Sequence, residues 1–192
     1  MYTVFNYLGI FCLLHVVWVF IGYPGLLLLI RNKRKEIQNF DERGISIVIP
    51  TFNEAAVIEK KIRNIEELNY PRGLLEVIIV DSASTDGTAE KAHSAVIPIR
   101  IIRESEKLGK AHAINLAIPQ AKNPLILITD ANAFMEAHAL QSAVQYLADS
   151  SVGGVAGAMR QIDRSSNALS EGGDLYWKME VFMRSRESSL RS

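Results

Sequence analysis

The sequence predicts an α/β fold with a mainly parallel sheet and flanking helices, preceded by one transmembrane helix. Three observations lead there. From residue 45 to about residue 160, strand-like apolar runs alternate with helix-like periodic segments, the order that builds a parallel sheet. Residues 77–80 and 125–128 are apolar at every position, as expected of strands covered on both faces. The first 30 residues contain no Asp, Glu, Lys or Arg.

Residues 4–30 hold 17 Leu, Ile, Val or Phe side chains. A helix of about 20 apolar residues crosses a bilayer. At about −0.3 to −0.6 kcal/mol each, these side chains outweigh the costs of His15 and Pro24. Tyr7, Trp18 and Tyr23 suit the interfaces. A cleaved signal peptide wants a basic start and a shorter apolar run. Here the basic cluster Arg31, Lys33, Arg34 and Lys35 follows the run instead, which keeps the following domain cytoplasmic. The expected organisation is a single-pass anchor (1–30) in a plasma or inner membrane, a basic linker (31–44), an α/β domain (45–160) and a final region (161–192).

Totals exclude some classes. Lys plus Arg and Asp plus Glu are both 21, so there is no basic excess to suggest nucleic-acid binding. The lone Cys12 makes neither an internal disulfide nor a cysteine metal site.

The first strand spans 45–50, ended by Pro50. Ile58, Ile62 and Ile65 then recur at helical spacing. Thr51 and Glu54 match a capping box for that helix, and the same strand-to-helix turn exposes backbone N–H groups to a ligand. The second strand, 76–80, runs into Asp81, a carboxylate placed to hydrogen-bond a nucleobase or ribose. A polar turn through Asp86 and Gly87 leads into a helix reaching about Ser94, with Asp86 a candidate cap. The third strand covers 99–103. Gly109-Lys110-Ala111 opens a helix with Ile114, Leu116 and Ile118 on its buried side. Lys110 opposes the helix dipole, an objection that a nearby phosphate removes.

The strand at 125–128 ends near Asp130, with Asn132 two residues on. Ligands of open α/β sheets sit beyond the carboxyl ends of strands. A carboxylate and an amide oxygen so spaced present hard oxygens to Mg²⁺ or Mn²⁺, or to a ribose, although such residues also form simple turns. A helix over 136–148 with Leu140, Val144 and Leu147 follows, then a Gly-rich fifth strand over 152–159, a polar loop over 162–173 and an amphipathic helix over 175–190.

The segments 47–54 (Ile-Val-Ile-Pro-Thr-Phe-Asn-Glu), 80–88 (Val-Asp-Ser-Ala-Ser-Thr-Asp-Gly-Thr), 109–111 (Gly-Lys-Ala) and 129–132 (Thr-Asp-Ala-Asn) resemble, in order and spacing, four signatures of family 2 glycosyltransferases. With the membrane helix, the similarity is nearest to membrane-bound polysaccharide synthases of the cellulose, chitin, hyaluronan and poly-N-acetylglucosamine type. The resemblance implies a GT-A fold, Rossmann-like, that binds a nucleotide sugar, usually a UDP-sugar, with Mg²⁺ or Mn²⁺. It implies donor contacts at Pro50, Thr51, Asn53, Glu54, Asp81, Asp86, Lys110 and Asp130, and metal ligation by Asp130 and Asn132. Asn132 departs from the commoner second Asp. It further implies inverting transfer to a polysaccharide or lipid-linked acceptor.

The family's catalytic base and its Gln-x-x-Arg-Trp segment have no match within 1–192. The base is therefore expected downstream of Ser192, and the chain reads as the donor-binding N-terminal portion. Asp163, Asp174, Glu180 and Glu187 read as surface charges. Two competing readings remain: a nucleotide-sugar-binding module without catalysis, and a nucleotidyltransferase, which wants a Gly-rich phosphate loop that 51–54 does not supply.

Overall fold

A computed structural model describes residues 2–29, 42–94, 96–158 and 169–188. The basic cluster at 31–35, Asp163 and most of the polar loop lie outside the described residues. Two compact units emerge, one within 37–155 and one combining the N-terminal helices with residues from 156 onward.

In the first unit, four parallel strands form one sheet: β1 (Ile45–Thr51), β2 (Leu75–Ser82), β3 (Ile99–Glu104) and β4 (Leu125–Ile128), in the order β3-β2-β1-β4. The chain winds outward from β1 to β3, then returns to the other side of β1. That reversal is a topological switch point, where α/β sheets open a ligand crevice.

Alternation along β1 and β2 feeds two cores. Ile47, Ile49, Val77 and Ile79 face one side, packed with Ile58, Ile62 and Ile65 of α3 (Ile58–Glu66) and Leu140 and Val144 of α6 (Ala139–Leu147). Val48, Ile78 and Val80 face the other, against Ala113 and Ala117 of α5 (Lys110–Ala117). At the amino ends, Ser46 donates to Glu76 Oε1 at 2.6 Å, and the Lys122 N–H donates to the same oxygen at 2.5 Å. This buried pair ties the entry of β4 to the central strands.

Several expectations change. β4 is not covered on both faces. Ile126 and Ile128 are 37% and 45% exposed, because α5 sits over β1 and β2 rather than over this edge strand. The small Ala113 and Ala117 make the close approach of α5, while Ile114 and Leu116 are half-buried and Ile118 is exposed. No capping box forms at Thr51 and Glu54. Thr51 completes β1, and α3 begins only at Ile58.

The helix after Gly87, α4 (Thr88–Lys91), ends before Ser94. Ser94 Oγ accepts the N–H groups of Val96 and Ile97, a turn that stops the helix. α6 starts at Ala139 because the backbone before it is bonded to Asn64 and Asn69 instead. Residues 152–158 form no strand. Gly153, Gly154 and Gly157 offer no side chains to pack, and among the described residues no strand pairs beyond β4.

In the second unit, α1 (Tyr2–Val17), a π-helical turn (Trp18–Gly22) and α2 (Tyr23–Leu28) run on from one another. Pro24 has no N–H to donate, which accounts for the loosened turn before it. Phe5–Leu28 is a 24-residue helical stretch with mean hydropathy 2.1, long and apolar enough to span a membrane. α7 (Leu169–Ser188) starts earlier than expected despite Gly172 and Gly173, each costing a helix about 1 kcal/mol relative to Ala. Its Glu187 accepts a hydrogen bond from the Tyr23 hydroxyl.

Candidate functional site

The carboxyl ends of the strands bring the sequence-predicted residues together. Thr51 and Asp81 are register partners on β1 and β2, and Ser82 and Glu104 are partners on β2 and β3. Asp130 follows β4, whose ladder extends one step through Thr129 N–H to Val48 O at 3.1 Å. A cleft of about 140 Å³ opens at this edge, lined by Pro50, Thr51, Phe52, Ser82, Lys107, Gly109 and Lys110.

Asp81 is 5% exposed, and its Oδ1 is buried with no hydrogen-bond partner among the described residues. A buried polar atom left unpaired costs roughly 1–3 kcal/mol, and Asp81 adjoins the cleft through Ser82, its lining neighbour in the chain. Thr51 is also buried, but its hydroxyl is committed to Val80 O at 3.1 Å.

Asn53 and Asp86 frame the site rather than face it. Asn53 has φ 55° and Ala83 φ 58°, both left-handed. Asn53 N–H donates to Ser84 Oγ, and Asn53 Oδ1 accepts from Thr85 N–H, each at 2.9 Å. Asp86 Oδ2 accepts from Ala55 N–H at 2.9 Å, and its Oδ1 accepts from Thr88 N–H and Oγ. The Thr88 hydroxyl, with these N–H groups, holds the Asp86 carboxyl below its ordinary range. Glu54 N–H donates to Thr88 Oγ1 at 2.8 Å. These bonds lock the loop after β1 to the loop after β2.

Gly109, at φ 96°, turns the chain so that Lys110 starts α5 beside the cleft. Lys110 Nζ reaches Asp130 Oδ1 at 2.5 Å, with both side chains about half exposed. Lys107 Nζ lies 3.6 Å above the Phe52 ring centroid. Such exposed contacts contribute about 1 kcal/mol or less, so an incoming anion can recruit both lysines cheaply.

Among the described residues no three or more His, Cys, Asp or Glu side chains form a self-sufficient metal cluster. Asp130, with exposed Asn132 two residues on, supplies one carboxylate and one amide oxygen. That donor set fits a Mg²⁺- or Mn²⁺-like cation that takes its other ligands from phosphate and water.

Sequence reasoning missed Ser82, Glu104, Lys107 and Lys61. Glu104 was legible, because it ends β3 with a carboxylate, as Asp81 stands one residue before the end of β2. Its side chain accepts from Ser82 Oγ and meets His112 Nδ1, each at 2.5 Å. Lys61 sits among the apolar positions of α3, a lysine where burial would be expected.

The parallel sheet, its strand order and the flanking helices define an α/β domain of GT-A type. The chain belongs to glycosyl transferase family 2, whose family model matches residues 46–189. Its relatives include the beta-monoglucosyldiacylglycerol synthase of Nostoc sp., 29% identical over 166 residues, covering 83% of this chain and 35% of the relative. The poly-beta-1,6-N-acetyl-D-glucosamine synthase of Staphylococcus aureus is 29% identical, covering 70% of this chain and 33% of its own length. The mannosyltransferase PcManGT of Pyrobaculum calidifontis, solved with GDP-Man and Mn²⁺, superposes with a TM-score of 0.64 at 35% identity, covering 73% of this chain and 44% of that one. The chain thus spans less than half the length of these relatives.

Proposed function

We propose that this chain forms the donor-binding part of a membrane-anchored, inverting glycosyltransferase that moves a sugar from a nucleotide sugar, a UDP-sugar first, to a polysaccharide or glycolipid acceptor. The observation that carries this reading is the unpaired, buried Oδ1 of Asp81, whose register partner Thr51 and chain neighbour Ser82 both line the cleft. A carboxylate there accepts an N–H of a nucleobase, uracil N3–H in the first instance. The frame made by Asn53 and Asp86 keeps Pro50, Thr51 and Glu54 around the nucleoside.

Lys110 binds the diphosphate, and Asp130 with Asn132 holds the divalent cation. The cation supplies Lewis-acid stabilisation of the charge on the departing diphosphate. With a donor bound, the Lys110–Asp130 ion pair would be free to open, leaving Lys110 for the phosphate and Asp130, with Asn132, to hold a cation. The apolar side chains along Phe5–Leu28 face outward, and a bilayer is the environment that covers them. In this reading the helix is a single-pass anchor with the domain on the cytoplasmic side.

The test is calorimetry of UDP and GDP binding to the full chain in detergent, with Asp81→Asn beside it. Saturable binding of UDP that Asp81→Asn weakens supports the reading. Preference for GDP reassigns the base, and no nucleotide binding by the folded protein contradicts the reading.

A further inference from the structure

We propose that Lys61 is a positioning residue for the loop that presents Asp130 and Asn132, an inference that rests on the donor-site reading above. Lys61 lies on α3 and is 0% exposed, although α3 itself never reaches the cleft lining. Its ammonium donates to Thr129 Oγ1 at 2.9 Å and to the carbonyl of Ala133. These two anchors bracket residues 130–132 from beneath, so one side chain fixes the entry and the exit of the Asp-Ala-Asn turn.

The next residue on the same helical face continues the hold. Asn64, three positions on, donates to Met135 O at 2.9 Å and accepts from Met135 N–H at 2.8 Å. Asn69 N–H then donates to Ala137 O at 2.8 Å. The segment after β4 is thereby fastened to α3 and the turn following it at successive points.

The choice of lysine is informative. A wholly buried ammonium carries a desolvation cost that a Leu or Met would avoid, so packing alone does not call for it. The charge also attracts the Asp130 carboxylate electrostatically without a direct bond. Lys61 thus sets both the path of the loop and the charge beneath it. Groups that orient ligands from outside the ligand set characteristically change metal affinity when removed.

The experiment uses the full chain in detergent micelles and compares Lys61→Met and Asn64→Ala with the unaltered protein. Two quantities are read: amide hydrogen exchange across 129–138, and UDP affinity with and without Mn²⁺. In Lys61→Met, exchange in the loop rises about tenfold or more while β1 and β2 keep their protection. The Mn²⁺-dependent gain in UDP affinity falls about tenfold or more, and metal-free UDP affinity stays within about twofold. If Lys61→Met fails to fold, Asn64→Ala, which leaves no buried charge unpaired, carries the same expectations. Unchanged loop exchange overturns the proposal, as does an equal loss of metal-free and metal-dependent binding. If the unaltered protein shows no Mn²⁺-dependent binding, the donor-site reading fails and takes the cation role of Lys61 with it, and faster loop exchange then identifies a tether only.

Discussion

Lys110 Nζ and Asp130 Oδ1 stand 2.5 Å apart, joining the start of α5 to the turn after β4 across 20 residues of chain. In the proposed function this pair sets a cation for phosphate beside a carboxylate for metal. Being half exposed, it adds about 1 kcal/mol or less to stability. Lys110→Met is therefore expected to leave the thermal midpoint nearly unchanged while weakening UDP binding about tenfold, from the loss of one charge-assisted phosphate contact. Parallel thermal melts and calorimetry check this, and a large drop in stability with intact binding would reverse the assignment.

Asp81→Asn is expected to separate stability from function. Replacing a buried carboxylate that has one oxygen unpaired by a neutral amide removes a desolvation cost, so the unliganded domain holds its stability or gains about 1 kcal/mol. Nucleotide affinity falls about tenfold because a charged acceptor is lost. Denaturant unfolding and nucleotide titration on the same preparation read both.

Asn53 tests the frame. Its left-handed backbone costs most residues about 1–2 kcal/mol, while Gly and Asn adopt it readily. Asn53→Gly keeps the backbone and loses the bond to Thr85, whereas Asn53→Ala loses both. Unfolding free energies should rank Asn53 above Gly above Ala, with Ala about 1–2 kcal/mol below Gly. Equal stability of the two variants would show that the strain is absent in solution.

Lys61 gives a pH signature. Burial lowers its ammonium from 10.5 to about 8, opposed in part by the nearby Asp130 carboxylate. Below pH 8 folded and unfolded chains both hold the proton, and the cost of burying it is fully present. Between about pH 8 and 10.5 the unfolded chain binds more protons, so this group makes stability rise with pH, by up to about 3 kcal/mol in all. Lys61→Met flattens that rise, which the difference between the two pH–stability curves measures directly.

The sheet was legible because its central strands are near-continuous apolar runs punctuated by Pro50 and Asp81. The edge was less legible. Ile126 and Ile128 read as buried because an apolar run says nothing about whether a helix lies above it. The fifth strand failed because glycine at 153, 154 and 157 removes the side chains a strand packs with.

At the site, residue types singled out Asp81, Lys110 and Asp130, and the fold places all three at the carboxyl edge of the sheet. Asn53 and Asp86 belong to the same signatures, yet in the structure each bonds across to the opposite loop, Asp86 also to its neighbour Thr88, a distinction that spacing does not encode. Lys61 escaped notice because helical periodicity was counted over isoleucines, and a lysine beside them adds no apolar signal.

The most direct measurement is isothermal titration of UDP into the full chain in detergent, with and without Mn²⁺, beside Asp130→Ala. The account predicts binding that Mn²⁺ strengthens in the unaltered protein and leaves unstrengthened in the variant. Binding that is indifferent to Mn²⁺, or that Asp130→Ala leaves intact, would contradict the role of the turn after β4 as the cation-and-diphosphate site.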